Sequence, residues 1–402
     1  MKKRLGLYIH VPFCVSKCAY CDFYSLPATD SLMSRYVRAL AQQIKEWRGP
    51  LRDRAVDTVY FGGGTPSLLG AKQLVSLLDA LKDHLNILLD AEITLELNPS
   101  TMTREDLRIL RREGVNRLSI GAQSADDGLL ESLGRTHTFA DTIQTVDNAR
   151  ETGFDNISLD LIYGLPSQSG AEWATTLSKM IALKPEHLSC YGLRIEEGTP
   201  LYFYKDMPEI PSEDAQADMY LYTVSALHEV GLRQYEISNF ARPSCISRHN
   251  TKYWNLSDYI GLGPSAHSFM GGKRYSYVRD LSAYLHAMDT NAPLIDSEEV
   301  IAPSDKAVDY LMLGLRTTHG ISGAEYFQIY PADFTVIETL LIQWEQQGWT
   351  RRLDGRWSFT PNGFLLSNRL IADIIDVHAK QRMTSLPWKK QEYQSYIKTV
   401  EG

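Results

Sequence analysis

The feature that most constrains the fold of this chain is a regular alternation of strand-like and helix-like segments in its first half. The strand-like runs are rich in Val, Ile, Leu and Tyr, and several are nearly continuous apolar stretches of the kind found in strands buried on both faces. This alternation predicts an α/β fold with parallel strands and right-handed crossovers. The predicted strands are 5–13, 56–62, 91–98, 117–123, 156–163 and 187–195, and the predicted helices between them are 31–47, 71–84, 104–113, 139–151 and 170–183.

Six strand–helix units suffice for two architectures, a partial barrel or an open doubly wound sheet. In both architectures the side chains that act on a ligand gather at the carboxyl ends of the strands. Motifs that follow the predicted strands are therefore the first candidates for a functional site.

The alternation stops near residue 200. Segment 196–211 is predicted to be an irregular connector, and a helix over 213–230 and a strand over 235–240 follow it. Segment 241–273 is crowded with Gly, Ser, Asn and aromatic residues, so we predict a loop-rich region there.

A winged-helix-like α+β module is predicted near the C-terminus, because helical segments from residue 303 are followed by a hairpin around Asp354-Gly355. Such modules often bind DNA, but residues 301–378 carry six Lys and Arg against nine Asp and Glu, which favours a structural role. The predicted division of the chain is 1–200 for the barrel with its cysteine loop, 201–300 for an extension of the barrel, 301–380 for the winged-helix-like module and 381–402 for a polar tail.

Composition narrows the class of partner and the compartment. The formal net charge of −8 argues against broad nucleic-acid binding, which needs clustered Lys and Arg to displace counterions. No signal-peptide core and no stretch of about 18 apolar residues is present, so we expect a cytoplasmic protein without an integral membrane segment. Five cysteines, an odd number, do not suggest a disulfide framework.

Three of the cysteines form a C-x3-C-x2-C motif directly after the first predicted strand: Cys14, Cys18 and Cys21. A loop of this spacing can wrap three thiolates around one corner of an iron–sulfur cubane, which usually has four cysteine ligands. The fourth iron is then open to a small chelating ligand, and the amino and carboxylate groups of S-adenosylmethionine (SAM) suit that position. The alternatives are a zinc site completed by His10 and three unrelated buried cysteines.

Polar residues recur at the ends of the following strands. Gly63, Gly64 and Thr65 end the second strand, where glycines permit close backbone approach to a ligand. A polar or charged group in or beside an apolar strand is costly to bury unless it is paired or used, so four further residues are candidates for function, with structural pairing as the alternative. They are Glu96, Gln123, Arg135 and Asp160.

These motifs together resemble the radical SAM superfamily and, within it, the branch that contains oxygen-independent coproporphyrinogen oxidase and heme chaperones. The shared stretches run from Tyr8 to the C-terminal module. The resemblance implies a partial (β/α)6 TIM-like barrel and a 4Fe–4S cluster on Cys14, Cys18 and Cys21. It also implies that Tyr8 and Tyr20 lie beside SAM, and that the SAM sites are lined by Gly63, Gly64, Thr65, Glu96, Gln123, Arg135 and Asp160.

Two features favour the heme-chaperone side of the branch. The oxidases carry a further cysteine two positions after the third, where this chain has Phe23, and they also have an N-terminal extension before the first strand. The run His249-Asn250-Thr251-Lys252-Tyr253-Trp254 resembles the H-N-x-x-Y-W pattern of the chaperones. An imidazole can ligate heme iron, so His249 is the predicted heme contact and His267 a second candidate; a structural loop is the alternative.

The resemblance implies a heme chaperone that binds heme and transfers it to acceptor hemoproteins. A reductase or a flavodoxin-like protein would donate electrons to the cluster. The alternative functions are oxygen-independent oxidative decarboxylation of coproporphyrinogen III and methyl transfer by a radical SAM methyltransferase.

Overall fold

A mixed β-sheet forms the centre of the computed structural model, which describes residues 2–27 and 29–384. The strands of the protein are β1 (Lys3–Val11), β2 (Phe13–Cys14), β3 (Leu26–Pro27), β4 (Arg54–Gly63), β5 (Ile87–Leu97), β6 (Arg117–Gln123), β7 (Ile157–Tyr163), β8 (His187–Gly192), β9 (Arg233–Gln234), β10 (Asn239–Ala241), β11 (Tyr259–Leu262), β12 (His267–Met270), β13 (Lys273–Tyr277), β14 (Ile295–Val300), β15 (Thr350–Leu353) and β16 (Arg356–Phe359).

The α-helices are α1 (Asp30–Glu46), α2 (Gly70–His84), α3 (Arg104–Arg112), α4 (Asp127–Ser132), α5 (Phe139–Glu151), α6 (Gly170–Ala182), α7 (Glu213–Glu229), α8 (Arg248–Trp254), α9 (Leu281–Thr290), α10 (Pro303–Gly314), α11 (Gly323–Ile329), α12 (Thr335–Gln346), α13 (Pro361–Leu365) and α14 (Ser367–Thr384). Short 3-10 helices occur at Pro66–Leu69, Pro200–Tyr204 and Pro243–Cys245. None of the described helices is long and apolar enough to cross a membrane.

The large sheet has twelve strands in the order β14-β13-β12-β11-β1-β4-β5-β6-β7-β8-β10-β9. Its centre is the parallel run β1-β4-β5-β6-β7-β8, which confirms the α/β partial barrel of six parallel strands. Strand β11 adds a seventh parallel strand on the outer side of β1, and antiparallel strands extend the sheet at both ends.

The barrel strands divide their side chains between two faces with a period of two. On β1, Leu7 and Ile9 belong to the hydrophobic core that the strands share with the surrounding helices, and on β6 Leu118 and Ile120 do the same. On β4 to β8, side chains of the other face line a polar cavity, among them Tyr60, Glu96, Ser119, Asp160 and Ser189.

Two expectations for the middle of the chain are wrong. The range 235–240 is predicted as one strand, but most of it is the turn between two short antiparallel strands, β9 before it and β10, which begins at Asn239. In this turn the Glu236 carboxylate accepts a hydrogen bond from the Ser238 amide. The predicted loop region 241–273 contains α8, β11 and β12. These elements are short, and α8, whose N-cap is Ser247, has no apolar repeat long enough to reveal it.

The C-terminal module has its own hydrophobic cluster, which includes Leu311, Tyr326, Leu341 and Trp357. Helices α10 to α12 precede the β15–β16 hairpin, which confirms the predicted winged-helix-like arrangement. The domain boundaries themselves stay predictions. Of the predicted tail 381–402, residues 381–384 belong to α14, and residues 385–402 lie outside the described part of the chain.

Replacing Gly320 with Ala is expected to destabilise the C-terminal module by about 3 kcal/mol, because overpacking and a strained backbone act together. Gly320 has a φ of +69°, and a Cβ there would overlap the Trp357 carbonyl oxygen. Gly49→Ala is the matched control, since nothing lies within 4 Å of its Cβ position. Urea unfolding of both variants measures the effect, and equal stability of the two would contradict this packing.

Candidate functional site

The barrel encloses a cavity of about 610 Å³. Its wall combines the cysteine loop, the glycine run after β4 and the inward side chains of β5 to β8, so that residues far apart in sequence meet in one place. Among the predicted site residues, those that line this cavity are Cys14, Cys18, Tyr20, Cys21, Gly63, Gly64, Thr65, Glu96, Gln123, Arg135 and Asp160.

The cysteine loop is held against the rim of the cavity by its own backbone and by two neighbours. The Cys21 amide donates to the Cys18 carbonyl (3.1 Å), and the Ala19 amide donates to the Leu133 carbonyl (3.1 Å). Arg135 Nη1 donates to Cys18 Sγ (3.6 Å), which places a cation beside a sulfur that would carry negative charge as a metal ligand. Burial raises the pKa of the Cys21 thiol, so bound metal would have to stabilise its thiolate.

The three thiols of the loop line one cavity, and cysteine thiolates are the usual ligands of an iron–sulfur cluster. The zinc alternative would need a fourth ligand. His10, the fourth ligand of the zinc alternative, is buried, with Nδ1 hydrogen-bonded to the Tyr8 hydroxyl (3.1 Å) and Nε2 to the Tyr24 carbonyl (3.3 Å).

The glycine run lies where side chains would not fit. A Cβ on Gly64 would come within 2.5 Å of the Phe13 carbonyl oxygen, and one on Gly63 (φ +113°) within 2.7 Å of the His10 ring. The Gly64 and Thr65 amides donate to the carbonyls of Val11 and Phe13 (2.9 and 2.7 Å), which ties the run to the start of the cysteine loop. The glycines therefore let two backbones meet beside the cavity.

Glu96 lies beneath this run. Its Oε1 accepts from the Tyr60 hydroxyl (2.6 Å) and its Oε2 from the Gly63 amide (3.1 Å). Burial is the largest influence on this carboxyl group and raises its pKa to about 7. A buried carboxylate with two neutral donors is suited to receive an ammonium or hydroxyl group from a ligand in the cavity.

The β6 side of the cavity presents an amide and a guanidinium. Gln123 ends β6 with a φ of +60°, a conformation that costs energy for a residue other than glycine and that clusters at functional sites. Arg135 Nη2 donates to Asn98 Oδ1 (2.8 Å) and to the Gly121 carbonyl (2.6 Å), so its orientation is fixed.

Asp160 lies in the middle of the cavity wall and is held by hydroxyl groups. Its Oδ2 accepts from Ser119 (2.9 Å) and its Oδ1 from Ser158 (3.2 Å). Burial is the largest influence and raises its pKa. Ser119 is one of several cavity residues that sequence reasoning missed, although the period of two along each predicted strand could have found several of them. These residues are Tyr60, Asn98, Arg117, Ser119, Ser189 and Tyr191.

Tyr8 is the exception in the predicted set, because it is not part of the cavity wall. Its ring stacks on Tyr60, which lines the cavity, with centroids 6.2 Å apart. Tyr8 therefore packs against the cavity wall, and its position beside SAM stays a prediction. Tyr20 packs with Leu133, Ile162 and Leu165 at the cavity rim.

Helix α8, which carries the H-N-x-x-Y-W run, lies across the amino ends of the barrel strands. The amides of Arg248 and His249 donate to the Glu92 carboxylate (both 2.9 Å), and Lys252 forms an ion pair with Asp57 (2.8 Å). Asn250 points toward the cavity, so the helix forms part of its floor.

The prediction that His249 ligates heme meets a physical obstacle. The side chain is 0% exposed, and both ring nitrogens are hydrogen-bonded at 2.8 Å, Nδ1 to the Thr58 hydroxyl and Nε2 to the Tyr253 hydroxyl. Burial lowers the pKa of His249 to about 3, so the imidazole is neutral. Heme ligation by His249 stays a prediction, and it would require at least one of these two hydrogen bonds to break. His267 is exposed, at the start of β12.

The remaining cysteines stand apart from the cysteine loop. Cys190 is buried in the hydrophobic core. Cys245 is partly buried and lies in the short 3-10 helix before α8.

A partial barrel whose first strand leads into a C-x3-C-x2-C loop above a glycine-lined cavity defines the class of radical SAM proteins. The Radical SAM superfamily model matches residues 8–180. Two relatives named Heme chaperone HemW, from Bacillus subtilis (strain 168) and Escherichia coli (strain K12), are each 34% identical to this chain and cover 90% and 91% of it and 97% of their own lengths. The chain therefore belongs to the HemW family within the radical SAM superfamily.

Two further similarities agree with this assignment. The Bos taurus protein named Radical S-adenosyl methionine domain-containing protein 1, mitochondrial, is 34% identical over 82% of this chain and 77% of its own length. The solved structure of coproporphyrinogen III oxidase HemN from Escherichia coli superimposes with a TM-score of 0.82, covering 93% of this chain and 90% of that one. At 24% identity, this superposition establishes the fold alone.

Glu96→Gln is expected to change how the stability of the cluster-free protein depends on pH. Because the folded-state pKa is raised from 4.5 to about 7, the stability linked to Glu96 is fully present below pH 4.5 and is lost as the pH rises through 7. The wild type should therefore lose on the order of 2 kcal/mol relative to Glu96→Gln across this range.

Urea unfolding at a series of pH values measures this difference. Glu131→Gln, on the exposed face of α4, is the control and should follow the wild type. Parallel stability curves for wild type and Glu96→Gln would show that burial does not perturb this carboxyl group.

Proposed function

We propose that this chain is a heme chaperone of the HemW type, which binds heme and transfers it to acceptor hemoproteins. The observation that carries the proposal is the end-to-end similarity to relatives that bear this name, at 34% identity over 90% of the chain and 97% of the relative. Similarity of this extent covers the barrel, its extension and the C-terminal module together.

We propose further that Cys14, Cys18 and Cys21 hold a 4Fe–4S cluster whose open iron binds SAM. When bound, this pair supplies one-electron cleavage of SAM to a 5′-deoxyadenosyl radical. The protein's own residues position the ligand and exclude water. The Glu96 carboxylate is placed to accept from a polar group of SAM, while Arg135 fixes the rim beside Cys18 and gives that sulfur a cationic neighbour.

The radical SAM alternatives differ in what they would do to a porphyrin. The fold is shared with the HemN oxidase, so the fold does not separate a chaperone from an oxidase. Phe23, which is exposed at the cavity mouth, stands where the oxidases have a further cysteine, and this favours the chaperone. Methyl transfer is the third alternative, and formation of its by-product, S-adenosylhomocysteine, would identify it.

Electrons for the cluster would come from a reductase or a flavodoxin-like donor. We place this activity in the cytoplasm, where a reducing environment keeps thiols available as metal ligands. All five cysteines of the structure are free thiols, which suits that environment.

The proposal predicts that anaerobically reconstituted protein contains iron and acid-labile sulfide, gives a Soret band when heme is added, and forms no protoporphyrinogen from coproporphyrinogen III. The triple variant Cys14→Ser, Cys18→Ser, Cys21→Ser should lose iron and sulfide, because the thiolate ligands are gone. Cys245→Ser is the matched control and should keep both, since this thiol lies away from the loop.

Absorption spectroscopy, iron and sulfide analysis, and product analysis on the same sample decide between the three functions. Release of CO2 from coproporphyrinogen under reduction would identify an oxidase instead. Formation of S-adenosylhomocysteine would identify a methyltransferase. Protein that binds tightly held zinc and neither iron nor sulfide would rule out the cluster altogether.

A further inference from the structure

The floor of the cavity contains a buried guanidinium whose donors are unused. Arg117 begins β6, is 1% exposed and lines the cavity. Among the described residues, its Nε and Nη1 have no hydrogen-bond partner. A buried charge is normally paired, because desolvation costs several kcal/mol per ion.

The carboxylates that act most strongly on Arg117 already accept hydrogen bonds from other groups. Glu92 accepts from the amides of Arg248 and His249, and Asp160 accepts from Ser119 and Ser158. Burial acts to lower the pKa of Arg117, but the surrounding acids, Glu92 first, outweigh it and raise that pKa, so the guanidinium is charged.

The row of inward residues on β6 connects this guanidinium to the cavity mouth. Arg117, Ser119, Gly121 and Gln123 alternate along the strand and all line the cavity. At about 3.3 Å per residue, the row spans the depth from the floor to the predicted SAM level. A ligand that enters from the cysteine loop would meet Arg117 at the far end.

The charges around Arg117 restrict what this ligand can be. A guanidinium is a planar fork of donors that holds a carboxylate through two parallel hydrogen bonds. Asp160 and Glu96 line the same cavity and would repel a dianion such as phosphate more strongly than a monoanion. The surroundings therefore favour a single carboxylate.

We propose that the cavity floor is a carboxylate-binding subsite in which Arg117 receives the carboxylate of a ligand that enters past the cysteine loop. Two sources share this chemistry. One is a propionate arm of the porphyrin cargo, and this source rests on the proposed heme-chaperone function. The other is a free organic or amino acid, which does not.

Heme and heme dimethyl ester, whose propionates are blocked, separate the two sources. Reconstituted wild-type protein should bind heme about tenfold more tightly than the ester, since a hydrogen bond to a charged group is lost. Arg117→Met should bind both porphyrins with the affinity of the ester. Arg194→Met removes the same charge from another part of the cavity wall and should keep the preference for heme.

A second arm uses sodium propionate and L-methionine as probes. If the carboxylate comes from a free acid, millimolar concentrations should raise the melting temperature of wild type and Arg194→Met but leave Arg117→Met unchanged. Arg117→Met replaces a guanidinium whose Nε and Nη1 have no hydrogen-bond partner with an apolar residue of similar length, and a cooperative thermal transition of the variant checks that it folds.

The subsite is overturned if Arg117→Met matches the wild type in both arms, whether or not heme binds. The wild type could show no Soret band with heme while its melting temperature still responds to the acids through Arg117. This result would contradict the heme-chaperone proposal and support the subsite. Loss of the preference for heme in both Met variants would show that general charge, rather than the Arg117 position, attracts the ligand.

Discussion

The structure depends on one constraint. Each parallel strand of the barrel must pack apolar side chains against helices on one face and place polar side chains in the cavity on the other. The outward face packs Leu, Ile and Val against helices, and this burial drives folding. The inward face holds carboxylates and a guanidinium away from water, which is tolerable where they find partners. Tyr60 with Glu96, and Ser119 with Asp160, are such partnerships between neighbouring strands.

Much of this arrangement can be predicted from the sequence, because the periodicity of apolar residues is clear in strands and helices whose two faces have defined environments. Strand β6 (Arg117–Gln123) and helix α5 (Phe139–Glu151) have the predicted bounds, and the cysteine loop and the glycine run lie at the predicted strand ends. The residues Glu96, Gln123, Arg135 and Asp160 meet in one cavity because parallel strands bring their carboxyl ends together.

What the sequence could not show depends on long-range contacts. The role of His249 is decided by Thr58, which is 191 residues away along the chain, and by the way α8 lies across the barrel. Arg117 is inconspicuous in sequence, since a basic residue at the start of a strand is usually exposed. Only the three-dimensional arrangement reveals that it is buried and that its neighbours are already paired.

Helix α8 covers the amino ends of the barrel strands and leaves their carboxyl ends to form the ligand site. Glu92 and Asp57 fasten the helix across the amino ends of the strands, so the cavity communicates with its surroundings past the cysteine loop. A ligand that enters past the cysteine loop and binds at Arg117 would pass the outer level of the cavity on its way in. Occupation of the outer level would then slow both the entry and the release of the deeper ligand.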